Sequence, residues 1–277
     1  MSEATINGAR LYFEDHGTGF PLIMTHGLGG DHTMWINQIP AFKKKYRVVV
    51  WDCRGHGQSE VTDEGYSINR FTEDLHGLMR HLDIERAHIV GLSMGGWISY
   101  WFAHNYPEAT ASLVLSDSAG MFAGFSDKNR ENNRNMFEAS AHIAEKYGRE
   151  KLADTTLSLM FSEKFIEEQP EAIELVRQRI VSDSGVGYAR TIKGVFAEYW
   201  DKPVKEFEEK LSEISAPTLI IAGEVDKLTP VPTQQAIHRA IPGSRLEIIP
   251  GSGHVPPIEQ PEFWNSLVLE FLENVHG

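Results

Sequence analysis

Short apolar, β-branched runs recur along the chain and alternate with longer segments whose apolar positions stand three and four apart. The runs Ala4 to Asn7, Arg10 to Asp15, Pro21 to Thr25 and Tyr46 to Asp52 predict strands, as do Ala87 to Leu92, Ala111 to Leu115, Thr218 to Ala222 and Leu246 to Ile249. Asn7-Gly8 is a hairpin signal between the first two. Between the runs, Ser67 to Leu82 places Phe71, Leu75, Leu78, Met79 and Leu82 on one stripe, the pattern of an amphipathic helix. Thr33 to Phe42, the segment after Gly96 up to Tyr106, Thr233 to Ala240 and the stretch from Pro261 also predict helices. Strands that alternate with helices imply an α/β fold: a mostly parallel twisted sheet of about eight strands with helices on both faces. Ligands of such sheets sit beyond the carboxyl ends of the strands.

From Gly120 to about Tyr199 the strand-like runs stop. Helical segments follow one another there, broken at Gly148, Pro170 and Ser184-Gly185. The expected organisation is a core from residues 1–119, a helical cap inserted at 120–202, and a second part of the core at 203–277. The apolar cap residues Met121, Phe122, Phe125, Met136, Phe137, Met160, Phe161, Phe196, Tyr199 and Trp200 serve mainly its own core, with a minority facing a ligand. No repeat or low-complexity segment interrupts the pattern.

One junction carries chemistry. In Ala87-His88-Ile89-Val90-Gly91-Leu92-Ser93-Met94-Gly95-Gly96 a strand run meets a helix run across a glycine-flanked serine. A strained turn at a strand end lifts a hydroxyl clear of its neighbours, where a base can reach it. Gly91 and Gly95 let strand and helix approach closely. The Met94 N–H then lies at a helix N-terminus, suited to a developing oxyanion.

A serine nucleophile needs a base, and the base needs an acid that fixes its tautomer. Of the 12 histidines, His254 stands on a glycine-rich loop just past a predicted strand, Pro250-Gly251-Ser252-Gly253-His254, whereas His16, His76, His81, His88, His104, His142, His238 and His276 fall in strands, helices or the terminus without such a setting. Asp226, in Gly223-Glu224-Val225-Asp226 after Leu219 to Ile221, occupies the same kind of loop. Asp117, after Leu113 to Leu115, is the rival acid, and Glu224 is expected to point away. In Asp52-Cys53-Arg54-Gly55-His56-Gly57-Gln58-Ser59 the charged residues are expected to tie the loop to its neighbours.

Composition narrows the partners. Lys+Arg 26 against Asp+Glu 39 gives a net charge of -13, which argues against nucleic acid or an anionic membrane surface. The lone Cys53 excludes an internal disulfide and a cysteine zinc site, and no pair of ligands stands at metal spacing on one helix, so neither metal nor other cofactor is expected. With no leader-like start and no long apolar stretch, the expectation is a cytoplasmic protein. Dinucleotide binding fails on spacing, because the Gly91 to Gly96 stretch lacks Gly-x-Gly-x-x-Gly.

The order Ser93, Asp226, His254 joins His26-Gly27-Leu28-Gly29, Asp52-x-Arg54-Gly55-His56-Gly57-x-Ser59 and the glycine-flanked serine in a chain that resembles the α/β-hydrolase superfamily over nearly its whole length. The resemblance implies that Leu28 and Met94 supply the oxyanion amides. Gly-Leu-Ser-Met-Gly-Gly and Arg-Gly-His-Gly-x-Ser resemble the 3-oxoadipate enol-lactonases and related small carboxylesterases. That likeness implies acyl transfer from a compact ester or lactone with an apolar portion to Ser93, then hydrolysis. A carboxylate on the substrate would call for a cation, for which Arg130, Arg134, Arg190 and Lys193 are available. Ser93 excludes the aspartate-nucleophile chemistries of the fold. The alternatives are carbon–carbon hydrolases of ring-cleavage products, which share Ser-Met-Gly-Gly but usually carry Asn where this chain has Leu92; cofactor-free perhydrolases; and a hydrolase-like receptor with slow turnover.

Overall fold

The structure, a computed structural model, describes residues 2–118, 127–196 and 204–275. Eight strands form one sheet in the order β1-β2-β4-β3-β5-β6-β7-β8. They are β1 (Ser2–Ile6), β2 (Ala9–His16), β3 (Phe20–Thr25), β4 (Tyr46–Trp51), β5 (Ala87–Leu92), β6 (Thr110–Ser116), β7 (Thr218–Gly223) and β8 (Arg245–Ile249). The β1–β2 and β2–β4 pairs are antiparallel and the rest parallel. Asn7 and Gly8, at φ 48 and 76, make the two-residue turn whose twist matches the β1–β2 hairpin.

Alternation along each strand divides the core between the two faces. Ile23, Val49, Trp51 and Ile89 pack on the side of α2 (Ile68–His81) and α3 (Met94–Asn105). Leu22, Met24, Val48 and Val50 pack on the other, with α1 (Ile39–Phe42) and the closing helix. Helices covering both faces explain why β5 and β6 are buried at every position. Ser67 caps α2 by accepting the Arg70 N–H.

The helix expected over Thr33 to Phe42 is broken into a 3-10 turn, His32–Trp35, and the single turn of α1. Pro40 is the cause: inside a continuous helix its ring would clash with the preceding turn and remove a hydrogen bond, whereas at the start of α1 it costs nothing.

Between β6 and β7 the described residues are helical: α4 (Asp127–Tyr147), α5 (Glu150–Met160), α6 (Glu163–Glu168), α7 (Pro170–Ser182), α8 (Gly185–Thr191), a π turn at Ile192–Phe196, and α9 (Val204–Ser212). The breaks at Gly148, Pro170 and Ser184 fall where the sequence puts them. An additional break at Phe161–Ser162, where the Ser162 hydroxyl caps α6, has no glycine or proline to announce it. The chain closes with α10 (Val231–Ala240), α11 (Pro256–Glu259) and α12 (Pro261–Val275). Among the described residues, no helix is long and apolar enough to cross a membrane.

Helix α3 runs against the sheet so closely that a Cβ on Gly95 would lie 2.2 Å from the Thr25 carbonyl oxygen, and one on Gly91 2.1 Å from that of Gly95. Neither backbone can retreat without moving the sheet. Gly95→Ala is therefore expected to cost about 3 kcal/mol, or roughly 6–12 °C in Tm. An unchanged melting curve would contradict the close approach.

Candidate functional site

Strand β5 ends in a turn that no ordinary residue adopts cheaply. Ser93 has φ 54 and ψ -116, a region that costs a non-glycine residue on the order of 1–3 kcal/mol. It is held there by its N–H donating to the Ser116 carbonyl at 3.0 Å, by α3 starting at Met94, and by the tight glycine contacts on either side. The side chain is only half-buried and opens, with His254, Leu28 and Gly27, onto a cavity of about 130 Å³.

His254 lies on the loop after β8, and Asp226 on the loop after β7. The two meet: His254 Nδ1 is 2.8 Å from Asp226 Oδ2. A carboxylate only accepts, so Nδ1 donates, and in the neutral ring that leaves the lone pair on Nε2. Asp226 Oδ1 accepts the N–H groups of Leu228 at 2.7 Å and Thr229 at 3.1 Å, and the Thr229 hydroxyl donates to Oδ2 at 2.7 Å. Burial works to raise the Asp226 pKa, but the adjacent His254 and these donors together hold it below the ordinary carboxylate value. Glu224 turns outward and accepts the Gly251 N–H at 2.9 Å, so it braces the histidine loop.

Asp117 sits behind the pair with φ 44, fully buried. Its Oδ1 accepts the Gly223 N–H at 2.7 Å and the Ser116 hydroxyl lies 3.1 Å from Oδ2. Burial first, then the charge of Asp226, raise its pKa well above the ordinary value, the opposite direction to Asp226. Carboxylate oxygens of both and a ring nitrogen of His254 lie within 4.8 Å of one another, a spacing that could also hold a metal ion. These groups already hydrogen-bond to each other or to neighbouring protein groups.

The loop after β3 forms the facing wall. His26 is buried and bonds at both ring nitrogens, to the Gly27 carbonyl at 2.7 Å and to the Cys53 N–H at 2.9 Å. Burial lowers its pKa, which fits a neutral ring that donates on one side and accepts on the other. The Gly30 N–H closes the turn on the Gly27 carbonyl at 3.0 Å, with Gly29 at φ 66. Among the described residues no protein acceptor takes the Leu28 N–H. Met94, first in its helix, has no intrahelical acceptor for its own. In the next loop Arg54 pairs with buried Asp74 through two 3.0 Å bonds, Asp52 receives the His32 ring at 2.8 Å, and His56, its pKa pushed down to about 3 chiefly by burial, bonds to the Arg54 carbonyl. That loop is tied down as its sequence suggests.

The apolar residues of the expected cap fall in different places. Met136, Phe137 and Met160 line the cavity, while Phe161 is fully buried and stacks on Phe165 at 5.3 Å. Met121, Phe122, Phe125, Tyr199 and Trp200, and the side chain of Phe196, lie outside what the structure describes. Sequence reasoning missed the α5 wall, Leu152, Thr155, Thr156 and Leu159, although its spacing of three and four marks one helix face. The four candidate cations do not line the cavity: Arg134 pairs with Glu138, Arg190 with Asp63, Lys193 with Glu145, and Arg130 is engaged elsewhere.

The α/β-hydrolase fold family profile matches residues 21–261. The chain is 32% identical to 3-oxoadipate enol-lactonase 2 of Acinetobacter baylyi over 89% of its own length and 86% of the relative's. Among solved structures it resembles a thermophilic esterase from Thermogutta terrifontis (TM-score 0.88, 32% identity, 100% and 99% of the two chains). It also resembles an enol-lactonase from Burkholderia xenovorans (TM-score 0.85, 29% identity, 98% and 100%). A profile match over most of the chain, on a sheet whose strand ends gather Ser93, Asp226 and His254, establishes that this protein belongs to the α/β-hydrolase fold family.

Proposed function

We propose that the protein is a serine hydrolase of small carboxylic esters or lactones, with residues 120–202 as its cap. His254 Nε2 takes the Ser93 proton as Oγ attacks the carbonyl; the Leu28 and Met94 N–H groups receive the developing oxyanion; and the imidazolium returns the proton to the leaving oxygen. Water, activated by the same ring, then releases the acid from Ser93. Asp226 keeps the proton on Nδ1 and steadies the charged ring. The observation that carries this reading is that the Asp226-bonded imidazole opens onto the same cavity as a serine held in a strained turn. The esterase and enol-lactonase relatives support the same reaction class.

The test is labelling by a serine-directed phosphonate, followed by a panel of esters, lactones and ring-cleavage diketones. Ser93 should carry the label and esters or lactones should turn over; a label elsewhere, or turnover of diketones alone, overturns the proposal. Within the ester set, the mostly apolar wall of Leu28, Met136, Phe137, Leu152 and Leu159 favours a neutral acyl group. Burying an unpaired carboxylate there costs several kcal/mol, so 4-nitrophenyl butyrate should exceed the 4-nitrophenyl hemisuccinate in kcat/KM by about 100-fold or more.

A further inference from the structure

Helix α5 touches two of the loops that the proposed chemistry uses. At its N-terminal end Arg149, 2% exposed, donates from Nη1 to the Gly29 carbonyl at 2.8 Å and to Asp183 Oδ2 at 2.6 Å. Its guanidinium stacks over the Tyr188 ring, 4.6 Å from the centroid, and lies flush on the loop: a Cβ on Gly29 would come within 2.3 Å of Nη2. At the other end the Met160 carbonyl accepts the His254 N–H at 2.7 Å. Glu259 reinforces that end by accepting the Gly253 N–H at 2.8 Å and the Ser162 hydroxyl at 2.6 Å. Between the ends, Leu152, Thr156 and Leu159 face the cavity. Eleven residues of helix span about 16 Å, so one rigid element joins the Gly27 to Gly30 turn, the cavity wall and the histidine loop.

We propose that Arg149 is a positioning residue for the oxyanion hole: its bond to the Gly29 carbonyl, braced by α5, holds the adjacent Leu28 N–H in place relative to Ser93. The proposal rests on the serine-hydrolase reading. Asp183 has a different part. It neutralises the buried guanidinium and, through Oδ1, accepts the Gly57 N–H at 3.0 Å, which docks the helical segment on the neighbouring loop but does not touch the Gly27 to Gly30 turn. A buried pair that only docked the cap would make the two side chains equivalent in their effect on rate. A brace on an oxyanion donor makes them unequal, because a donor displaced by a fraction of an ångström loses most of its preference for the transition state.

The experiment compares Arg149→Met, Arg149→Lys and Asp183→Asn with the parent, with kcat expressed per active site titrated by phosphonate so that misfolded protein is not counted. Arg149→Met is expected to lower kcat about 30- to 100-fold with KM changed less than about 3-fold, and to weaken a boronic acid transition-state mimic by a similar factor. Arg149→Lys, which keeps a cationic donor group, should recover about 10-fold of that loss. Asp183→Asn should lower Tm about as much as Arg149→Met while kcat falls less than about 3-fold. If Arg149→Met keeps kcat within 2-fold, or Asp183→Asn costs as much kcat, the pair is only a dock and the proposal is overturned. Failure of the serine-hydrolase reading itself would show instead in the parent protein, as absent ester turnover and absent titration.

Discussion

Ser93→Ala is expected to remove ester turnover by about 10⁴-fold or more while leaving the melting temperature within a few degrees of the parent. On the proposed mechanism the loss is large because nothing is left for His254 to activate, although the Leu28 and Met94 N–H groups and the cavity remain. Stability should not suffer, because the side chain bears no packing role: it is half-buried and opens onto the cavity, while the turn is held by main-chain contacts and by Gly91 and Gly95. A companion variant tests the strain independently. At φ 54 and ψ -116 glycine is at ease where alanine is not, so Ser93→Gly should be equally inactive but at least as stable as Ser93→Ala, despite the extra freedom glycine gives the unfolded chain. Ester turnover that survives in Ser93→Ala would move the nucleophile elsewhere, and a clear loss of stability in Ser93→Gly would mean the turn is not strained.

The loops carrying Ser93, Asp226 and His254 are legible in the sequence for one reason. Each follows a short apolar run, and a parallel sheet buried on both faces leaves its chemistry no place except the strand ends. Eight strands follow from the same runs, and their ends fall within a few residues of the expected positions. What is not legible depends on which surfaces meet. The spacing of Leu152, Thr156 and Leu159 marks an apolar helix face, but periodicity is silent on whether that face packs on other helices or lines a cavity. Arg149 reads as one more charged residue beside a glycine, because only the folded chain brings it to Gly29, 120 residues earlier. The candidate cations err the other way: Arg134, for one, pairs with Glu138 four residues on along α4, an ordinary helix-surface pair, and does not line the cavity. Pro40 was the one visible signal against the helix over Thr33 to Phe42.

Two carboxylates behind one imidazole make the choice of acid an experimental question with a large answer. Asp226→Asn is expected to lower kcat about 10³- to 10⁴-fold, because an amide that donates to Nδ1 leaves the proton on Nε2, where it blocks transfer from Ser93. Asp117→Asn should cost less than about 3-fold, since burial and Asp226 favour the neutral form of this carboxyl, which an amide mimics, and the amide oxygen can still accept the Gly223 N–H. Its signature is in stability. Burial and Asp226 raise the Asp117 pKa, so between the ordinary carboxylate value and the raised one the folded chain holds a proton that the unfolded chain has lost. Stability contributed by this group is therefore full below the ordinary value and falls as pH rises through that window. Asp117→Asn deletes the slope, and its melting temperature should gain on that of the parent as pH is raised above the ordinary carboxylate value. Asp226 has the opposite sign: with its folded pKa depressed, its contribution is present above the ordinary value and is lost only on acidification. If instead Asp117→Asn proves the more damaging to kcat and Asp226→Asn the milder, the orienting acid is Asp117, and the 2.8 Å contact between Asp226 and His254 serves only to fix the loop.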